Sequence, residues 1–145
     1  MHVNKPADAA MAAVATQTGD RIAAANREIV LDFLKKAINQ ADFEEAQVHF
    51  GPRYVQHNPA IGDGVEGIRK HMVGLREQFP QLRAEVKRVV AEGGLVVAHV
   101  HAMRTPDDPG LAIVDIFRLE AGKIVEHWEV RQRVPETALH GNGMF

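Results

Sequence analysis

The chain of 145 residues contains no cysteine, which removes disulfides, thiolate metal sites and a cysteine nucleophile from consideration. No apolar run approaches the ~18 residues that a membrane-spanning helix needs. The alanine-rich stretch near the N-terminus lacks the h-region of a secretory signal, and the expected location is the cytoplasm. Basic residues nowhere cluster: 17 Lys and Arg are interspersed with 19 Asp and Glu for a formal net charge of −2. Neither nucleic acid nor an anionic membrane surface therefore finds an electrostatic footprint, and no acidic block suggests a solvated tail. The remaining composition, 46% hydrophobic and 25% charged, is that of one globular domain with a sizeable core.

Residues 1–18 are expected to be a poorly ordered leader, 19–135 a single domain and 136–145 a tail. From Asp20, an expected N-cap, Ile22, Ile29, Val30, Phe33, Leu34, Ala37 and Ile38 fall on one helical stripe. Asp42-Phe43-Glu44-Glu45 has the spacing of a capping box and predicts a short second helix to about Phe50, ended by Gly51-Pro52. YVQHNPAIGDG, residues 54–64, reads as a loop or single turn. Asp63 and Glu66 head a third helix with Val65, Ile68, Met72, Leu75 and Phe79 on its apolar side, closed by Pro80.

After Pro80 the period changes from 3.6 to 2. Strands are predicted over 81–92, 95–104, 111–120 and 123–134, with Gly93-Gly94 a hairpin turn. No helical segment separates them, so they form an antiparallel meander, and the fold class is α+β.

The third of these strands, LAIVDIFRL, carries an acid among apolar residues. Asp115 shares strand parity with Ile113 and Phe117, so a strand that buries those two carries the carboxylate inward. An unpaired buried carboxylate costs several kcal/mol, so the position asks for a partner. Arg118 has the opposite parity. Closing the TPDDPG loop symmetrically about Asp108 sets His101 opposite Asp115 and His99 opposite Phe117. In the last strand Trp128 shares a face with Ile124, Glu126 and Val130 and is expected on the concave side. His127 and Glu129 take the outer face, where a dimer interface is expected. His99-x-His101 would also suit a metal if His57 or Glu126 converged on it; acid/base work is the preferred reading, with no metal or cofactor expected.

YVQHNPAIGDGVEGI, VDIFRLEAGKIVEHWEV and the order of three helices then a meander resemble SnoaL-like polyketide cyclases, within the group having the nuclear-transport-factor-2-like fold. The resemblance spans roughly residues 20–134. It implies a cone-shaped half-barrel: a strongly curved, mostly antiparallel sheet with helices packed in its concave face around an apolar pocket. It also implies a homodimer and a cofactor-free intramolecular aldol closure or related isomerisation of a small apolar or aromatic carbonyl compound. Asp115 matches the family's general acid/base, and His101 matches an assisting histidine. His99 matches another polar pocket position. Tyr54, His57 and Asn58 from the loop, with Phe117 and Trp128 from the sheet, are expected to line the substrate pocket. The leaning is towards an enzyme; the alternative is a non-catalytic module that binds an apolar small molecule or a partner protein.

Overall fold

The computed structural model describes residues 6–145. Helix α1 runs over Pro6–Leu34 and continues into a π-helical turn, Lys35–Asn39. The described residues are helical from Pro6, so Asp20, the expected cap, lies inside the helix, and residues 1–5 of the expected leader lie outside the described residues. Its last turns bury Val30, Phe33 and Leu34, and Ala37 follows from the π turn. Helix α2, Phe43–Ala46, starts as its capping spacing predicts: Asp42 accepts from the Glu45 backbone N–H at 3.1 Å. A 3₁₀ turn, Gln47–His49, delivers the chain to strand β1, Phe50–Gln56. Helix α3 covers Gly64–Gln78, and the meander follows as β2 (Arg83–Glu92), β3 (Leu95–Met103), β4 (Leu111–Glu120) and β5 (Lys123–Arg133).

The five strands form one curved, open sheet in the order β1-β5-β4-β3-β2. The meander pairs antiparallel throughout, while β1 adds to the β5 edge in parallel. β1 was expected to be loop: Gly51-Pro52 reads as a breaker, and Pro52 has no N–H to give a ladder. An edge strand tolerates both. At the opposite edge, Asn39 meets the β2 backbone at both ends of its amide, accepting from Ala84 N–H at 2.8 Å and donating to Ala84 C=O at 2.9 Å. The amide thereby takes the place of a further strand at that point.

The helices lie in the concave face, so the fold is the expected α+β cone. An aromatic chain crosses the core: Phe33 meets Phe50 edge-on at 5.1 Å and Phe117 at 6.0 Å, and Phe50 meets Tyr54 at 4.5 Å. Each fully buried aromatic or aliphatic side chain contributes about 1.5–3 kcal/mol by leaving water.

Two irregularities decide which side chains face that interior. The turn after β3 is not symmetric about Asp108. The Asp108 carboxylate accepts from the backbone N–H groups of Arg104 and Gly110 at 3.1 and 3.0 Å, and Gly110 takes a positive φ of 87°. The resulting register sets Ala98 opposite Asp115, and His101 opposite Ala112. This odd offset from the expected pairing reverses parity, so His99 and His101 lie on the outer face.

The second irregularity is in β5. Leu119 pairs with Ile124 and Arg118 with Glu126, leaving Val125 as an extra residue between them. Ile124 and Val125 are both buried, and the alternation inverts beyond them. His127 and Glu129 therefore point inward, and Glu126, Trp128 and Val130 outward, the reverse of the expected assignment. Gly51 stands across from the bulge: a Cβ there would come within 3.0 Å of Val125 Cγ1. The bare glycine leaves room for the extra residue.

Candidate active site

Between the helices and the sheet lies an apolar pocket of about 850 Å³, part of that space being its mouth. Phe33, Leu34, Ile68, Met72 and Leu75 supply helical walls, and Tyr54, Ile113 and Phe117 supply the sheet side. Asp115, His127 and Glu129 bring polar groups into this lining, with His71, Arg104 and Arg131 also contributing.

Asp115 is 6% exposed, and its partner is His127, itself 5% exposed. Asp115 Oδ1 lies 2.8 Å from His127 Nε2. The other ring nitrogen, Nδ1, lies 2.9 Å from Gln56 Oε1. Gln56 Oε1 also accepts from the Asn58 backbone N–H at 2.9 Å, and Gln56 Nε2 donates to Tyr54 Oη at 2.8 Å. Asn58 is buried, its Oδ1 accepting from Ala60 N–H at 2.9 Å in an Asx turn, and its Nδ2 donating to Glu129 Oε2 at 3.1 Å.

Glu129 stands directly across the ladder from Asp115. Burial pushes its carboxyl above the usual carboxylate range, and the Asp115 charge adds to that. The Asn58 bond and the nearby His127 and Arg131 oppose the shift without cancelling it. Burial likewise raises the Tyr54 phenol, with Asp115 again contributing, so Tyr54 keeps its proton. His71 is shifted down by burial and then by Arg131, which favours its neutral form.

Of the residues expected at the site, Asp115, Tyr54 and Phe117 line the pocket, and Asn58 reaches it through Glu129. The others are elsewhere. His101 bonds to the Pro109 carbonyl at 2.7 Å, and its ring stacks on Phe145 at 4.2 Å on the outer face. His99 contacts Arg88 and also faces Phe145. His57 bonds Glu126 at 2.7 Å and stacks flat on Trp128 at 4.9 Å, outside the cone. His57 and Glu126 thus satisfy each other and do not converge on the H-x-H pair. The residues missed are His127, Glu129 and Gln56. The signal available was the His/Glu parity in KIVEHWEV, obscured by the bulge at Val125.

Ligand atoms of Asp115, His127 and Glu129 lie within 4.8 Å of one another, which is close enough to hold a cation between them. Both His127 nitrogens already have protein partners, Asp115 and Gln56, and Glu129 accepts from Asn58.

The family model for the SnoaL-like domain matches residues 30–127. Comparison with curated protein sequences finds no match. Among solved structures, the fold is similar to TsrD from Streptomyces laurentii, with 23% identity, TM-score 0.62, and coverage of 74% of this chain and 88% of that one. It is similar to AclR from Streptomyces galilaeus, a proposed hydroxylase, with 25% identity, TM-score 0.66, and coverage of 76% and 90%. It is also similar to a proposed SnoaL-like polyketide cyclase from Jannaschia sp. CCS1, with 19% identity, TM-score 0.64, and coverage of 90% and 91%.

The raised Glu129 carboxyl has a definite pH signature. The folded state holds this proton more tightly than the unfolded chain, whose carboxyl titrates near its ordinary value of 4.5. Ionising Glu129 therefore costs folding stability: nothing well below that value, progressively more as pH rises, and the full amount above the folded pKa. Glu129→Gln removes this cost. The difference in thermal midpoint, variant minus wild type, is expected to grow more positive from pH 4 to pH 8. A difference that stays flat or falls over that range would show that Glu129 ionises without penalty.

Proposed function

Because the chain belongs to the SnoaL-like domain family, we propose that its pocket carries out cofactor-free acid/base chemistry on a small apolar carbonyl compound, either aldol-type ring closure or a related isomerisation. The observation that carries this reading is the buried Asp115–His127 pair in the lining of a largely apolar pocket, with Gln56 bonded behind His127. Apolar ligands alone have no use for a carboxylate, whereas proton abstraction beside a carbonyl requires a base within reach of the substrate.

In the proposed sequence Asp115 uses the oxygen not bonded to His127. It takes a proton from the carbon α to a carbonyl, and the C–H electron pair becomes that of an enolate. Tyr54 Oη accepts its hydrogen bond from Gln56, so its own O–H is free to donate to the enolate oxygen. The enolate carbon attacks a second carbonyl of the same molecule, forming the C–C bond and an alkoxide. Asp115 returns the proton to that alkoxide, and the site ends in its starting protonation state. For an isomerisation, the proton returns instead to a different carbon. His127, and not His101, orients the carboxylate.

Asp115→Asn preserves shape and removes the base. With β-tetralone as an apolar ketone probe, the wild type is expected to accelerate exchange of the α-hydrogens for solvent deuterium, followed by NMR. The variant is expected to lose that acceleration by about 100-fold or more while keeping its thermal midpoint within a few degrees. Equal exchange by the two proteins, with the ketone bound and recovered unaltered, would favour the binding-module reading.

The outer face of β4 and β5 carries Val114 and Val130, 38% and 71% exposed, beside Trp128. We propose that a second copy of the chain covers this strip, since an uncovered apolar sheet face is a liability in water. Wild type is then expected to elute at the mass of two chains in light-scattering chromatography, and Val130→Glu at the mass of one. A monomeric wild type would end this proposal.

A further inference from the structure

We infer that Gln56 is a positioning residue that fixes which ring nitrogen of His127 carries hydrogen, and so makes the Asp115–His127 contact a one-proton hydrogen bond. Its meaning for catalysis rests on the acid/base reading above, but its test does not.

Gln56 ends β1 and pairs in parallel register with His127. Its amide has two distinguishable ends, and the backbone identifies them. The Asn58 backbone N–H can only donate, and it lies 2.9 Å from Gln56 Oε1. Turning the amide over would set two donors against each other. Oε1 is therefore the acceptor, and it faces His127 Nδ1 at 2.9 Å. A carbonyl oxygen has no hydrogen to give, so Nδ1 must carry one.

This leaves the other nitrogen two arrangements. His127 Nε2 lies 2.8 Å from Asp115 Oδ1. Either a neutral ring accepts from a carboxylic acid, or an imidazolium donates to a carboxylate. Each places one proton in the contact, and each leaves the pair with zero net charge. The arrangement excluded is a neutral ring with hydrogen on Nε2 beside an ionised Asp115. It would turn the Nδ1 lone pair against Oε1 and leave the pair with a full negative charge.

The consequence concerns Glu129. Two carboxylates face each other across the β4–β5 ladder inside an apolar pocket, an arrangement that like charges oppose. A neutral Asp115–His127 pair relieves much of that opposition. Gln56 thereby lets the site keep two acids where its surroundings would otherwise tolerate one. The groups packed against the His127 ring are consistent with this accounting: Asp115 and Gln56 are its hydrogen-bond partners, the Phe117 ring centroid is 4.8 Å away, and Glu129 is inward on the same strand.

Protein labelled with nitrogen-15 histidine reports the two ring nitrogens separately in multiple-bond proton–nitrogen spectra, with His127 identified by the signals missing from His127→Asn. The wild type is expected to show Nδ1 protonated. Gln56→Glu, which retains an acceptor towards Nδ1, is expected to show the same. Gln56→Met removes that acceptor, and the ring is expected to become neutral with its hydrogen on Nε2. A bare Nδ1 in the wild type or in Gln56→Glu would overturn the inference. So would an Nδ1 that stays protonated in Gln56→Met. If Gln56→Met does not fold, the other two spectra still decide. Failure here with normal deuterium exchange at Asp115 would remove Gln56's role and leave the acid/base reading intact.

Discussion

One unpaired residue in β5 determines what the pocket contains. Val125 is the extra member of the β4–β5 ladder, and everything beyond it is turned over relative to simple alternation. With the bulge, His127 and Glu129 enter the cone and Trp128 leaves it. A strictly alternating β5, continuing the Leu119–Ile124 register, would instead put Trp128 opposite Asp115 and turn His127 to the outer face. The bulge in turn needs space, which the missing side chain of Gly51 on the adjoining strand supplies. Bulges of this kind commonly re-aim side chains beside a site.

Given that geometry, the energetics of the acid follow. A carboxylate with 6% exposure cannot rely on water, so its hydrogen bonds must come from the protein. His127 supplies one, Gln56 anchors His127, and the Asn58 backbone anchors Gln56. Each link comes from a different stretch of chain: β4, β5, the end of β1 and the loop before α3. The loop is itself pinned, since Asp63 accepts from the Gln56 backbone N–H at 2.9 Å and the helical Gly67 packs against Gly62 so closely that a Cβ would overlap its carbonyl. Pocket shape and acid placement therefore depend on the same packing.

Much of the fold was legible from periodicity. The four meander strands, α3, the Asp42 cap and the inward acid at Asp115 follow from patterns of two and of 3.6. What escaped lies where local pattern gives way to pairing. β1 has a glycine and a proline and no clean alternation, and it exists because β5 offers it an edge. The β3–β4 register is set by Asp108 gripping two backbone amides, which no count of loop residues reveals. Misjudging it moved His99 and His101 from the outer face to the pocket. His57 reads as a pocket residue by its place in the loop, yet its ring finds Glu126 and Trp128 outside. Glu129 was hidden by the bulge, and with it the second carboxylate of the site.

The pairing of Asp115 with His127 is the claim on which the functional reading stands, and a double-mutant cycle on folding stability measures it. With Asp115→Ala, His127→Ala and the double variant, a coupling of about 1–3 kcal/mol is expected, because each single truncation leaves a buried polar partner unsatisfied. Additivity to within about 0.5 kcal/mol would mean that the two side chains do not depend on each other, and would contradict the account.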